Sequence, residues 1–433
     1  MQRQITFFIA LALWAAVAPT VTPAAEHGAP LQLTIALSRV ITDNPRLAAF
    51  SREVREADAR ALQAGLPLNP VLRTELENVA GSGAFSGADQ AETTVLLSQT
   101  FELGGKRARR RHAIELAGEL ALWDYERARA AALSEAAVAF VEVLAEQQLV
   151  ALAGEAIELA DQVLATVRRR VDAGSSSRVE LTRAEIAHST ARLDGEHRVR
   201  ALKAARQRLA ATWGANVVDL DFETVAGAFG GVRPIPTLEE LRSEVDANPE
   251  VARWTTELAR RNALVEVEES RAIPDITLGA GYRRLSGPDE NAIVAELSLP
   301  LPLFDRNQGA IREARERALR AVDERRAIEV DLDAELATSY ERLTAAHAES
   351  RTLAEVILPG ADETFRSLRA GYREGRFSYL EVLDAQRTLV TTRSRRVHAL
   401  ADYHRAIAAI ERLTGRLPTA GLGIAPDDQE QSK

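Results

Sequence analysis

Cysteine is absent from the 433 residues, methionine occurs only as Met1, and aromatic residues make up 5%. Without cysteine there is no disulfide, no thiolate metal site and no N-terminal thioether to carry a lipid. That absence suits an oxidising compartment. Scarce aromatics, with alanine supplying much of the hydrophobic content, argue against several globular cores. Ala, Leu, Glu and Arg together are the make-up of long, closely packed helices. Positive charge is not in excess either. The net charge of −9 gives no reason to expect nucleic acid as a partner. The seven histidines (27, 112, 188, 197, 347, 398 and 404) include no pair four residues apart. No HExxH, GxSxG, P-loop or dinucleotide fingerprint occurs. Gly104-Gly105-Lys106-Arg107 lacks the rest of a Walker motif. Nothing here assembles an enzyme, a stored metal or a cofactor site.

Long apolar runs are missing beyond the N-terminus, so no further stretch approaches the roughly 20 residues of a membrane helix. Residues 1–25 themselves read as a secretory signal. Arg3 supplies the positive region, Ile5–Val17 the apolar run, and small residues between Ala18 and Ala25 the cleavage zone. The expectation is an exported protein without a transmembrane helix.

What the chain does have is a duplication. Asp172–Ala184 (DAGSSSRVELTRA) is a weaker copy of the turn within Ala370–Gln386 (AGYREGRFSYLEVLDAQ). Gly174 aligns with Gly375, Ser177 with Ser378 and Glu180 with Glu381, each 201 residues apart. Asn44-Pro45 and Asn248-Pro249 are 204 apart, as are Pro70 and Pro274. A fixed offset marks a repeated architecture. It divides the chain into a first repeat over 26–213, an irregular inter-repeat segment over 214–247 lying as a patch beside the helices, a second repeat over 248–415, and a disordered acidic tail over 416–433.

Each repeat opens with a helix begun at Asn-Pro and closed by Pro70 or Pro274, then carries two short strands. Val71–Val79 and Glu92–Phe101 flank a glycine-rich loop; Asp275–Tyr282 and Ala292–Leu299 flank Ser286–Asp289. Ile276, Leu278, Ala280 and Tyr282 alternate with Thr277, Gly279 and Gly281, and Ile293, Ala295, Leu297 and Leu299 oppose Glu296 and Ser298. Period-two segments of about ten residues between turns fit transmembrane barrel strands, and equally two hairpins of a soluble sheet. Proline-free stretches then follow, Gly104–Asp172 and Asp305–Leu358. Each is long enough for one helix, or two nearly coaxial ones, of roughly 80–100 Å. Leu332, Leu336, Ser339, Leu343, Ala346, Ser350, Leu353 and Ile357 trace a heptad seam with small residues interspersed. After each glycine turn a helix returns, to about Trp213 and to about Leu413.

Four strands cannot close a barrel, and an open edge is not tolerated in lipid. Three chains would pool twelve, a plausible pore. Glu381 and Asp384 lie three apart on one helical face, so three chains would gather six carboxylates into a ring that favours cations. Alternatively Glu381 simply complements the helix dipole, which is the preferred reading for Glu180. Lys106, Arg107, Arg109, Arg110 and Arg111 follow a strand directly, and are read as contacts to lipid headgroups at the rim or as a solvated helix face.

The repeated Asn-Pro helix, hairpin, long helix and G-x-x-S-x-x-E turn resemble the TolC-like outer-membrane efflux family over nearly the whole mature chain. Leu68-Asn69-Pro70 with Glu75–Asn78, and Leu97–Arg107, resemble its CzcC-like heavy-metal branch. The resemblance implies a mainly α fold with a small β part: a homotrimer whose strands form a twelve-stranded barrel in the outer membrane of a Gram-negative bacterium, above a periplasmic α-barrel. It implies docking of a periplasmic adaptor (a membrane fusion protein) at the two tip turns, Gly174, Ser177 and Glu180 with Gly375 and Ser378, and coupling to an inner-membrane efflux pump. It places Glu381 and Asp384 at an acidic constriction and Tyr372 on a tyrosine that helps hold the mouth shut. Phe377 departs from the family, where a basic gating residue is familiar, so an apolar contact is expected there. The exit duct of a drug efflux or type I secretion system would share this fold. A periplasmic coiled-coil scaffold, needing only one helical hairpin, is the reading from another class.

Overall fold

The structure, a computed structural model, describes residues 29–416 except 217 and 219. The signal segment over 1–25 and the tail from 417 onward lie outside the described residues.

Two short helices, α1 (Leu33–Asp43) and α2 (Pro45–Ala64), lead into strands β1 (Val71–Glu77) and β2 (Glu92–Phe101). Helix α3 (Lys106–Asp172) then runs without a break for 67 residues, about 100 Å. It turns at Gly174 and returns as α4 (Arg178–Ala211). The same order recurs with α5 (Leu238–Arg242), α6 (Pro249–Arg271), β3 (Ile276–Leu285), β4 (Glu290–Ser298), α7 (Gln308–Thr352), α8 (Leu358–Arg373) and α9 (Tyr379–Leu413). Helix α3 packs against α2 and α6 along one half and against α4 and α9 along the other.

The two Asn-Pro starts are built alike. Asn44 accepts hydrogen bonds from Arg46 N (2.8 Å) and Leu47 N, capping α2, and Pro45 occupies the first turn, where its missing N–H costs nothing. The Asn44 side-chain amide Nδ2 donates to Thr212 O (2.7 Å). Asn248 caps α6 through Glu250 N (2.8 Å) and donates to Leu413 O (2.9 Å). Each repeat therefore ties the head of its Asn-Pro helix to the end of its returning one. The prolines do less than expected at the far end. Helix α2 already stops at Ala64, with Gly65 as its C-cap, and α6 stops at Arg271, so Pro70 and Pro274 lead into strands.

The four strands form one antiparallel sheet in the order β1-β2-β3-β4, with β1 and β4 as open edges. The register aligns Thr74, Val95, Tyr282 and Ile293 in one row, and Leu72, Leu97, Ala280 and Ala295 in the next row on the same face. The opposite face carries Arg73, Glu75, Glu77, Glu92, Arg283 and Glu296. Arg283 bridges Glu92 at 3.1 Å and Glu77 at 3.8 Å.

The heptad seam in α7 is buried from Leu332 to Leu353, but Ile357 is exposed. Residues 353–357 form a π-helical turn. Pro359 has no N–H and its ring crowds the carbonyl of Glu355, so the helix widens there and rotates the seam away. A second difference concerns α3. It holds a window long and apolar enough to cross a membrane, contrary to the expectation from the sequence. Its Leu133, Ala137, Phe140, Val141, Leu144 and Leu149 are buried among the other helices, so these apolar residues build the helical core.

The basic cluster at the strand-to-helix junction is a set of braces. Lys106 pairs with Asp275 (2.6 Å), Arg110 with Glu102 (2.7 Å) and Arg111 with Glu115, while Arg109 donates to Glu266 O. Only Arg107 of the five has no partner among the described residues.

Candidate functional site

The two tip turns lie at the end of the helices farthest from the sheet. In the first, Ala173 N donates to Arg169 O, Gly174 N to Val171 O and Ser175 N to Arg170 O (2.7 Å). In the second, Glu374 N donates to Ala370 O, Gly375 N to Tyr372 O and Arg376 N to Gly371 O (2.8 Å). Gly174 (φ 71°) and Gly375 (φ 78°) take the left-handed conformation that ends each helix. These three backbone bonds of one tip have their counterparts 201 residues on.

The tips differ in their side chains. Ser177 Oγ accepts from Glu180 N (3.3 Å), and Ser378 Oγ from Glu381 N (3.4 Å). Only Glu381 completes the capping box, its Oε2 accepting from Ser378 N (2.7 Å) and from Ser378 Oγ (2.8 Å). These bonds, the backbone one foremost, hold the Glu381 carboxyl below its ordinary pKa. Asp384 is exposed and has no partner among the described residues. The two acids share a groove of about 390 Å3 between α8 and α9, lined also by Ile357, Thr364 and Leu368. They do sit together on one face, and Glu381 caps its helix.

Tyr372 and Phe377 are separated. Tyr372 is buried in a core shared by both helical hairpins, with Val163, Val167, Phe365 and Val382, and its ring lies 6.2 Å from that of the buried Tyr379. Burial, then the nearby Tyr372, raises the Tyr379 phenol pKa. Phe377 is exposed on one side, and its ring closes over Gly371, where a methyl would collide with it. The contact of Phe377 is therefore made within its own tip.

One residue the sequence did not point to joins the two tips. The Arg170 guanidinium stands 4.8 Å from the centre of the Tyr372 ring and donates from Nη1 to Tyr372 O (2.9 Å). Its Nε donates to Ser176 Oγ (3.1 Å) and its Nη2 to Ser175 O. The 201 offset carries Arg170 onto Gly371 and Ser176 onto Phe377. The same pair of positions thus makes a polar contact in the first tip and an apolar one in the second. Both positions depart from the duplication together, and that joint departure was the available signal. Among the described residues no three His, Asp or Glu side chains gather as a metal site.

Residues 36–215 and 241–416 match the family described as "Outer membrane efflux protein". The chain is 34% identical over 391 residues to the cobalt-zinc-cadmium resistance protein CzcC of Cupriavidus metallidurans, across 90% of this chain and 91% of that one. It is 29% identical over 318 residues to the nickel and cobalt resistance protein CnrC of the same bacterium, across 72% and 73%. Its fold superposes on the solved outer-membrane channel OprN with a TM-score of 0.75 at 18% identity, covering 88% and 89% of the two chains.

Proposed function

The chain belongs to the outer membrane efflux protein family, and from that premise we propose that it is the exit duct of a tripartite system expelling heavy-metal cations. The observation that carries the cargo is the match to a cobalt-zinc-cadmium resistance protein along nearly the full length of both chains. A drug or protein cargo finds no comparable support. The sheet is in keeping with a cation path, since its charged face bears more Glu than Arg side chains.

The working unit is a homotrimer built from two repeats per chain joined by the segment over 214–247. The open edges of β1 and β4 need partners in lipid, and each edge meets the other of the next copy. Helix α4 supports the same assembly. Val179, Ile186 and Leu193, seven residues apart, are all more than half exposed, an apolar stripe that no element of the described chain covers. Twelve strands then span the outer membrane and the helical hairpins reach into the periplasm. A periplasmic adaptor docks at the tip turns, Gly174, Ser177 and Glu180 with Gly375 and Ser378, and an inner-membrane pump drives export. Glu381 and Asp384 ring the mouth. Arg170, clasping Tyr372 across the two hairpins, holds that mouth closed at rest.

Single-channel recording in planar bilayers tests this reading. Wild-type protein is expected to give small cation-selective steps. Glu381→Ala/Asp384→Ala should weaken the cation preference, and Arg170→Ala should raise the open fraction. Channels unchanged by all three substitutions would leave the duct and remove these side chains from its mouth. Well-folded protein that never inserts would overturn the duct itself.

A further inference from the structure

Both edge strands continue past their hydrogen-bonded part, at the end of the sheet nearest the helices. Pairing begins at Val71 in β1 and stops at Ser298 in β4. Beyond these points lie Leu66-Pro67-Leu68-Asn69-Pro70 and Leu299-Pro300-Leu301-Pro302-Leu303-Phe304. The apolar alternation does not stop with the pairing. On β4 it runs through odd positions from Ile293 to Leu303, and on β1 Leu66, Leu68, Leu72 and Leu76 share the even positions with Pro70 and Thr74.

Length gives these arms a purpose. The paired apolar rows, Leu72–Leu76 and Ile293–Leu297, measure only about 13 Å at 3.3 Å per residue. At a tilt near 40° they cover about 10 Å of an outer-membrane apolar band about 25 Å tall, and the leucines of the arms carry apolar surface on toward its periplasmic margin. The arms are nonetheless unsuited to the hydrocarbon core, where every unpaired backbone group is costly. Pro67, Pro70, Pro300 and Pro302 remove four donors but leave carbonyls that need water or headgroups. Leu301 (70%), Leu303 (66%) and Phe304 (91%) face outward from a segment pinned by its own bonds, Leu303 N to Leu301 O and Arg306 Nε to Pro302 O. The exposed guanidinium of Arg306 follows the β4 arm directly in the chain, and the unpartnered Arg107 follows β2 at the same end of the sheet.

We infer that the two proline-leucine arms form an interfacial collar, seated in the glycerol and upper acyl layer of the periplasmic leaflet, with Arg107 and Arg306 toward the lipid phosphates. The collar rests on the outer-membrane reading given above and adds its lower boundary. Because β1 and β4 are the two open edges, one arm of each copy lies beside the other arm of its neighbour. There, lipid takes over the sealing of the wall from backbone hydrogen bonds.

Tryptophan placed in the full chain reads the depth directly. Phe304→Trp and, midway along the apolar row, Leu297→Trp replace side chains that are 91% and 72% exposed, so neither disturbs packing. Each variant is reconstituted in phosphatidylethanolamine–phosphatidylglycerol vesicles carrying bromine near the top or near the end of the acyl chains, with wild-type emission subtracted. The indole of the Phe304→Trp variant should be quenched roughly twofold more by shallow bromine than by deep, and that of Leu297→Trp the reverse, as their depths in the leaflet require. Blue emission without quenching from the Phe304→Trp variant would place a neighbouring copy over the arm and overturn the collar. Red, unquenched emission would place the arm in water and overturn the collar equally. In both cases quenching of the Leu297→Trp variant keeps the barrel. If neither variant is quenched, the barrel reading falls and the collar with it.

Discussion

His404 in α9 is among the most confined ionisable side chains in the helical body. It is 2% exposed, stacked on Phe229 at 5.2 Å and met edge-on by Tyr403, and neither ring nitrogen has a hydrogen-bond partner among the described residues. Burial, helped by the charge of Arg233, lowers its pKa from 6.5 to about 4. The unfolded chain therefore binds the additional proton between those two values, and stability rises with pH across that window. Acidification from pH 7 toward 4 should cost about 3 kcal/mol through this one ring. His404→Phe keeps the stack on Phe229 and removes the proton. Urea midpoints in detergent at pH 7 and pH 5 should converge for the variant and differ for the wild type. An equal acid loss in both would assign the effect to other groups. The ring also pins the inter-repeat segment, since Phe229 belongs to it.

At the scale of elements, the tips show what could and could not be read from the chain. Glycine, serine and glutamate at fixed spacing announce a helix stop followed by a capped start, because both depend on neighbours within four residues. The strands were legible for the same reason: alternation is local. Arg170 was not legible, because its partners Ser176 and Tyr372 come from a turn and from the other hairpin. Nor was the π-helical turn over 353–357, which follows from Pro359 meeting a helix held in place by its packing. The Gly371–Phe377 contact is an element-scale fit that can be tested. A methyl at Gly371 overlaps the Phe377 ring, so Gly371→Ala should loosen the second tip by about 1–3 kcal/mol, the usual cost of overpacking. Trypsin cleavage at Arg373 and Arg376 should then accelerate. Phe377→Ala alone should cost less, and Gly371→Ala/Phe377→Ala should recover most of the loss, a coupling expected of touching residues. Independent, additive effects would mean that the ring does not close the turn.

For the whole molecule, the question is which surfaces remain incomplete in one chain. Two sheet edges are open, and α4 displays Val179, Ile186 and Leu193 along one stripe while its opposite side packs on α3. Sheet edges and helix stripe point to the same remedy, because a second copy placed to pair β4 with β1 also brings a neighbour alongside the first hairpin. Nearer the sheet, α7 exposes Leu319, Val322 and Val330, likewise more than half exposed, as a second uncovered apolar surface. In the proposed trimer the sheet's apolar face looks to lipid, so the helices must supply the specific part of the assembly outside the membrane. Ile186→Glu puts a carboxylate in the middle of the α4 stripe, where burial without a cation is strongly unfavourable. In the single chain Ile186 is 60% exposed, so the fold itself should tolerate the change. Light scattering after size exclusion in detergent should give three times the chain mass for the wild type and one chain mass for the variant, with unchanged helical circular dichroism. A variant that stays trimeric would move the specific contacts away from α4, leaving the strand edges alone to choose the partner.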